Sequence, residues 1–148
     1  MVEEQSRQGR IIERVGRLYD RLNRQMLDRP GAQGKCRACG RCCDFEAYDH
    51  RLFVTPPELM YMAAGLNVEE LLLMTTGTCP YNIGGECTVY SYRFAGCRIF
   101  CCAGEPEFQG RLSECALQEL KAICTEFDIA YRYMDLRTAL AQRNYLPA

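Results

Sequence analysis

Histidine is almost absent from this chain, since His50 is the only one among 148 residues. A Cys–His–acid nucleophile would therefore depend on that single residue, and no H-E-x-x-H, P-loop or dinucleotide-binding motif occurs. Long apolar runs are also missing, because no stretch approaches the roughly 18 residues of a membrane span. The net charge is −1, so the chain has no overall excess of basic residues that would favour nucleic acid or an anionic membrane as a partner. The residue type in clear excess is cysteine.

The sequence contains eleven cysteines. Its acidic, polar first residues do not resemble a signal peptide, so we expect a cytoplasmic protein whose thiols stay reduced. The odd count argues against a disulfide framework, and so do two adjacent pairs, Cys42 with Cys43 and Cys101 with Cys102. The cysteines therefore indicate metal ligation.

The densest group is the run C-R-A-C-G-R-C-C, from Cys36 to Cys43. Three cysteines recur at every third residue, and a fourth follows directly. Gly40 permits a tight turn inside the run, and each C-x-x-C unit can wrap one soft metal ion with two sulfurs. Arginines next to the cysteines can offset thiolate charge; they are Arg37, Arg41, Arg93 and Arg98.

The hydrophobic pattern predicts a mainly α, irregular fold in one domain over residues 1–148. A helix over 3–29 is indicated by Ile11, Val15, Leu18, Leu22 and Met26. A long helix over 113–143, capped by Ser113, is indicated by a heptad seam. That seam comprises Leu117, Leu120, Cys124, Phe127, Tyr131, Met134, Thr138 and Ala141. The two helices are expected to pack together and to support a loop-rich cysteine metal centre over residues 36–102.

Within the centre, Thr55 and Glu58 match a capping box that opens a helix ending at Gly65. A second short helix is predicted over 67–74. The glycine-rich turn at 84–85 lies between two short segments and predicts a β-hairpin, which would bring Cys79 and Cys87 toward one another.

Three further residues have side chains that can bind metal. Cys124 lies in the heptad seam and is assigned to the core. Cys115 falls in the first turn of the predicted helix, where the helix dipole favours a thiolate, so it is a candidate outlying ligand. His50 is a candidate ligand for a metal site that combines cysteine and histidine, although there are enough thiols to complete a site without it.

A stripe of arginines runs beside the apolar face of the N-terminal helix. Such a stripe is typical of a surface that binds phosphates or an acidic partner. It is more often a solvated flank whose aliphatic stems cover the apolar seam. Its members are Arg10, Arg14, Arg17, Arg21 and Arg24.

Residues 36–100 resemble a cysteine-cluster family described as zinc- or iron-chelating proteins. The resemblance rests on C-x-x-C-x-x-C-C at Cys36, on T-x-x-E at Thr55, on Cys79, and on C-x-x-Y-x-x-R-x-x-x-C-R starting at Cys87. A more distant similarity is to flagellin lysine methylase, for which an iron–sulfur cluster and S-adenosylmethionine use are reported. Methylase activity is not implied, because this chain is short and has no glycine-rich cofactor loop. Phe94 replaces a family proline.

The expected metal ligands outnumber the four that one tetrahedral zinc takes. They are Cys36, Cys39, Cys42, Cys43, Cys79, Cys87, Cys97 and Cys101. Thiolates suit a 4Fe–4S cluster and zinc alike, and the number of thiols favours the iron–sulfur cluster. Three functions follow as hypotheses: a redox or group-transfer protein with an iron–sulfur cluster, a structural zinc module that binds a partner, and a metal-handling protein.

Overall fold

The computed structural model describes residues 2–28, 52–100 and 105–142. The cysteine run over 36–43, together with His50 and Cys101, lies outside the described residues. The elements in chain order are α1 (Val2–Leu27), β1 (Phe53–Val54), α2 (Pro56–Leu66), β2 (Asn82–Ile83), β3 (Glu86–Cys87), a 3₁₀ turn (Tyr90–Tyr92), α3 (Ala95–Ile99), α4 (Pro106–Glu126), β4 (Met134–Asp135) and α5 (Leu136–Ala141). The described part is mainly helical, as the hydrophobic pattern predicts.

Helix α1 confirms the N-terminal helix expected from the apolar spacing. All five residues of the predicted face are buried: Ile11, Val15, Leu18, Leu22 and Met26. Tyr19 is buried beside them with 1 % of its surface exposed, although it lies off the predicted stripe. A tyrosine at that depth brings a hydroxyl group into the core, where it requires a partner.

Helix α2 begins with the predicted capping box of Thr55 and Glu58, and a proline occupies its first turn. The predicted end at Gly65 is wrong, because the helix continues to Leu66. It ends where Asn67 takes the left-handed conformation, at φ 55°, and the Val68 N–H donates to the Ala63 carbonyl at 3.0 Å. Gly65 lies inside the helix against the ring of Tyr92, where a Cβ atom would overlap the ring.

The second short helix predicted over 67–74 is wrong as well. That segment contains only a turn, bends and irregular backbone. Leu71 is buried, and the Leu72 N–H donates to the hydroxyl of Tyr81 at 2.9 Å. The Leu72 N–H therefore finds its partner nine residues further on, outside the predicted helix.

The predicted β-hairpin is confirmed. Strands β2 and β3 are antiparallel, with Asn82 opposite Cys87 and Ile83 opposite Glu86. The two-residue loop between them is Gly84-Gly85, and both glycines have positive φ, at 64° and 84°. This is the conformation that a tight hairpin turn requires and that glycine adopts without steric cost.

The prediction of one helix over 113–143 is wrong. Helix α4 begins earlier, at Pro106, and ends at Glu126. Asp128 adopts φ 54°, and the Ile129 N–H donates to the Cys124 carbonyl at 2.8 Å. This pattern closes a helix C-terminus, and aspartate is among the few residues other than glycine that accept it. The chain then turns into β4, which pairs with β1, and continues as α5.

Two hydrophobic clusters result from this arrangement. The first cluster joins α1 to α3 and α4, and it contains most of the buried residues of α1, including Leu18, together with Leu120 of α4. The second cluster joins α2, the hairpin region and α5, and it contains Leu59 and Leu140. The predicted packing of the N-terminal helix against the C-terminal region is therefore correct for α4, while α5 belongs to the second cluster.

Within the described ranges, no helix combines the length and the apolar character that crossing a membrane requires.

Candidate metal centre

Two of the predicted ligands, Cys79 and Cys87, are linked through the backbone to Asn82 of β2. The Asn82 N–H donates to the Cys79 carbonyl at 3.0 Å, which closes a turn, and Cys87 lies opposite Asn82 in the β2–β3 register. The Tyr81 carbonyl accepts the Thr88 N–H at 2.9 Å and the Thr88 hydroxyl at 2.6 Å. The backbone around both cysteines is thus fixed by local hydrogen bonds.

Cys97 lies in α3, a helix of five residues. A helix this short is not stable alone in water, so its position depends on contacts with the rest of the molecule. The Arg93 guanidinium donates to the Cys97 carbonyl at 3.1 Å. At the preceding turn, the Ala95 N–H donates to the Glu58 carboxylate at 2.7 Å. Gly96 permits close packing on Leu52, because a Cβ atom there would overlap the leucine side chain.

The three described ligand candidates share one environment. Cys79, Cys87 and Cys97 are each partly buried, and each packs against the second hydrophobic cluster. All three are reduced thiols. Residues from separate stretches of chain, at and just before the hairpin and in α3, therefore pack against the same cluster.

These three thiols do not form a metal-binding group by themselves. Among residues 2–28, 52–100 and 105–142, no group of three or more His, Cys, Asp or Glu side chains is close enough to hold an ion. A complete centre would need ligands from the remaining predicted set, which lies outside the described residues: Cys36, Cys39, Cys42, Cys43 and Cys101.

Two of the arginines expected to offset thiolate charge are held beside Cys97. The Arg98 guanidinium donates to the carbonyls of Arg93, at 2.8 Å, and Ser91, at 2.9 Å. It also lies 4.1 Å from the centre of the Tyr19 ring. Arg98 is 8 % exposed, and burial lowers the pKa of its guanidinium. Both arginines thus fix the loop before α3, and Arg98 places a positive charge within electrostatic reach of Cys97.

A buried carboxylate joins three helices next to this loop. Glu58 is 2 % exposed. Its Oε2 accepts the Thr55 N–H at 2.9 Å and the Thr55 hydroxyl at 3.0 Å, while its Oε1 accepts the Ala95 N–H at 2.7 Å and the Tyr19 hydroxyl at 3.3 Å. Burial raises the pKa of Glu58, and these four donors oppose the rise.

The sequence identified only part of this arrangement. Glu58 is recognisable as a helix cap from its spacing to Thr55, but its bonds to α1 and α3 join residues 37 and 39 positions apart. The one available signal was a tyrosine next to the apolar stripe of α1. Burial raises the pKa of Tyr19 well above its ordinary value.

Comparisons of the chain with protein-family models, with curated proteins and with solved structures find no match. The assignment of a function therefore depends on the residues and their geometry.

The two cysteines of α4 have different environments. Because the helix begins at Pro106, Cys115 is not in its first turn as predicted, and its side chain is exposed. Cys124 is buried, with 2 % exposure, which confirms its assignment to the core. Burial raises the pKa of the Cys124 thiol to about 11.

This difference predicts selective alkylation at pH 8. Cys115 should react readily with iodoacetamide, because its side chain is accessible. Cys124 should remain unmodified, because a thiol with a pKa of about 11 is ionised in only about one molecule in a thousand at that pH, and the thiolate is the reactive form. Peptide mapping by mass spectrometry measures both rates, and denatured protein, in which both sites should react, is the control. Rapid modification of Cys124 in the native protein would contradict its placement in the core.

The arginine stripe of α1 finds acidic partners inside the chain. Arg14 forms an ion pair with Glu126, and Arg21 forms one with Glu119, both across the α1–α4 contact. Arg17 pairs with Glu13 on α1 itself, and the Arg10 guanidinium lies 5.7 Å from the centre of the Phe127 ring. Much of the stripe thus contributes to helix packing.

Proposed function

We propose that this protein binds metal through its cysteines, and that the bound group is a 4Fe–4S iron–sulfur cluster. The observation that carries the proposal is the placement of Cys79, Cys87 and Cys97 as reduced, partly buried thiols against one hydrophobic cluster. Buried or partly buried thiols on separate segments are how proteins assemble a sulfur-ligated site. A cytoplasmic setting, in which thiols stay reduced, is part of the proposal.

The donor set fits the proposed group. Cysteine thiolates are the ligands of iron–sulfur clusters, which take four of them. No three of the described thiols are close enough to hold an ion together, so the proposal requires further ligands from the run over 36–43. Negative charge at the sulfurs requires compensation in a partly buried site, and Arg98 provides a fixed positive charge beside Cys97.

When bound, such a cluster supplies one-electron transfer at a potential set by its charge, hydrogen bonds and burial. The chain's own contribution is to hold the thiols and to limit their contact with water. The second hydrophobic cluster lies directly behind them, which provides an apolar surface on one side of the site.

Purification without oxygen, followed by metal and sulfide analysis and an absorbance spectrum, tests the proposal. Broad absorption near about 400 nm, with iron and acid-labile sulfide, is the expected result. A colourless protein with tightly held zinc would support the structural zinc module instead. Metal that is present below one equivalent and exchanges readily would support a metal-handling protein. Protein that retains no metal after anaerobic preparation, and binds none when iron, sulfide or zinc is supplied, would contradict all three hypotheses.

The proposal does not extend to an acidic partner at the arginine stripe. Arg14 and Arg21 already pair with glutamates of α4. An acidic partner at this face would have to compete with these two ion pairs.

A further inference from the structure

We propose that Glu58 is a positioning residue for Cys97. The inference rests on the proposed function, because it assigns a role to Glu58 in holding one of the proposed ligands. It depends on the way a single carboxylate connects the start of α2 to the start of α3.

The position of Cys97 is determined by the first turn of α3. Cys97 is the third residue of a helix that contains only Ala95–Ile99. The backbone N–H of Ala95 is one of the groups at a helix start that have no partner within the helix. Glu58 accepts that N–H at 2.7 Å, which fixes the point at which α3 begins.

Glu58 is itself held firmly. Its other oxygen accepts two hydrogen bonds from Thr55 at the start of α2, and the Tyr19 hydroxyl of α1 donates to the same oxygen as Ala95. Four donors converge on a carboxylate that is 2 % exposed. Because this side chain is fixed, its bond to Ala95 holds the start of α3 in place relative to α1 and α2.

Tyr19 contacts α3 through its ring, in addition to the bond that its hydroxyl donates to Glu58. The Arg98 guanidinium lies over its ring and donates to Asn23 of α1 at 3.3 Å. Arg98 directly follows Cys97, and Ala95 lies two residues before it, so α3 is tied to α1 on one side of the cysteine and to Glu58 on the other. In sulfur-ligated sites, residues that orient the ligands typically change metal affinity by about 10- to 100-fold when they are replaced.

Two substitutions remove the hydrogen bond between Ala95 and Glu58, one by changing the acceptor and the other by removing the donor. Glu58→Gln preserves the shape of the side chain but places an amide NH₂ among four donors. Ala95→Pro removes the N–H and leaves Glu58 intact. Proline suits the first helical position, and Phe94 before it has φ −66° and ψ 162°, which a following proline accepts.

Thr55→Val is the matched control. It removes one hydroxyl donor from the same carboxylate and weakens the cap of α2, but it leaves the bond between Glu58 and Ala95 in place. Its side chain has nearly the same shape. A general loss of stability around Glu58 should therefore affect this variant as well, whereas loss of the α3 connection should not.

The measurements use the protein as purified without oxygen. Transfer of metal to a chelator should be about 10- to 100-fold faster in Glu58→Gln and Ala95→Pro than in wild type. Alkylation of Cys97, followed by mass spectrometry, should accelerate by about tenfold, as expected when a local segment opens more often. Thr55→Val should remain close to wild type in both measurements.

Equal acceleration in Thr55→Val and Glu58→Gln would overturn the inference, and so would wild-type rates in Glu58→Gln or in Ala95→Pro. If Glu58→Gln does not fold, Ala95→Pro against Thr55→Val decides the question. If wild-type protein holds no metal, the proposed function fails, and the alkylation rates of Cys97 alone then decide whether Glu58 positions it.

Discussion

Leu140→Ala is expected to lower the free energy of unfolding by about 2–5 kcal/mol, the usual cost of emptying a fully buried leucine site. Leu140 is 0 % exposed and packs into the second hydrophobic cluster. Its helix, α5, is attached to the rest of the fold by the β1–β4 pair and by the Leu136 N–H, which donates to the Leu52 carbonyl at 2.9 Å. Denaturant unfolding followed by circular dichroism measures the change.

Thr138→Ala is the control that discriminates between two arrangements of the C-terminal region. In one continuous helix over 113–143, Thr138 would lie on the packed seam and Leu140 would not. In the structure Thr138 is exposed, so its replacement should change stability by less than about 0.5 kcal/mol. A larger effect from Thr138→Ala than from Leu140→Ala would favour the continuous helix and contradict the break at Asp128.

Cys97→Ser is expected to reduce metal binding by more than about 100-fold, because it removes a proposed ligand and not merely a group that orients one. The thermal midpoint should fall together with metal content, since the free energy of metal binding in such sites also contributes to folding. Metal analysis and thermal unfolding of protein purified without oxygen measure both quantities. Cys39→Ser, in the run over 36–43, should behave in the same way.

Two cysteine variants serve as controls for this prediction. Cys115→Ser changes an exposed side chain on α4 and should leave metal content and stability unchanged. Cys124→Ala should lower stability, because Cys124 is buried, but it should retain the metal. Normal metal content in Cys97→Ser, or loss of metal in Cys124→Ala, would contradict the assignment of ligands.

The elements that the sequence predicted well depend on short-range patterns. The apolar face of α1 repeats every three or four residues, so it could be identified without knowledge of its partner. The capping box of Thr55 and Glu58 needs only a spacing of three, and the Gly84-Gly85 hairpin needs only two adjacent residues that accept positive φ. Spacing likewise indicates the candidate ligands, and three of them, Cys79, Cys87 and Cys97, pack against the same hydrophobic cluster.

Two of the errors in the sequence-based predictions concern the residues at which helices end. Both α2 and α4 terminate at a residue other than glycine in the left-handed conformation, Asn67 and Asp128. Gly65, the more obvious breaker, lies inside α2 because Tyr92 packs against it. A seam of apolar residues also continued past Glu126 in the sequence, although the chain there turns to pair β4 with β1.

By itself, the sequence determined the mainly helical character, the packed face of α1, the hairpin and the choice of cysteines as the residues of interest. Only the tertiary structure decided that α4 and α5 are separate helices, that Arg21 pairs with Glu119, and that Glu58 joins three helices. The physical reason is the range of the interactions. Local preferences act over a few residues, whereas these features depend on contacts between residues that lie far apart in the chain and meet only when it folds.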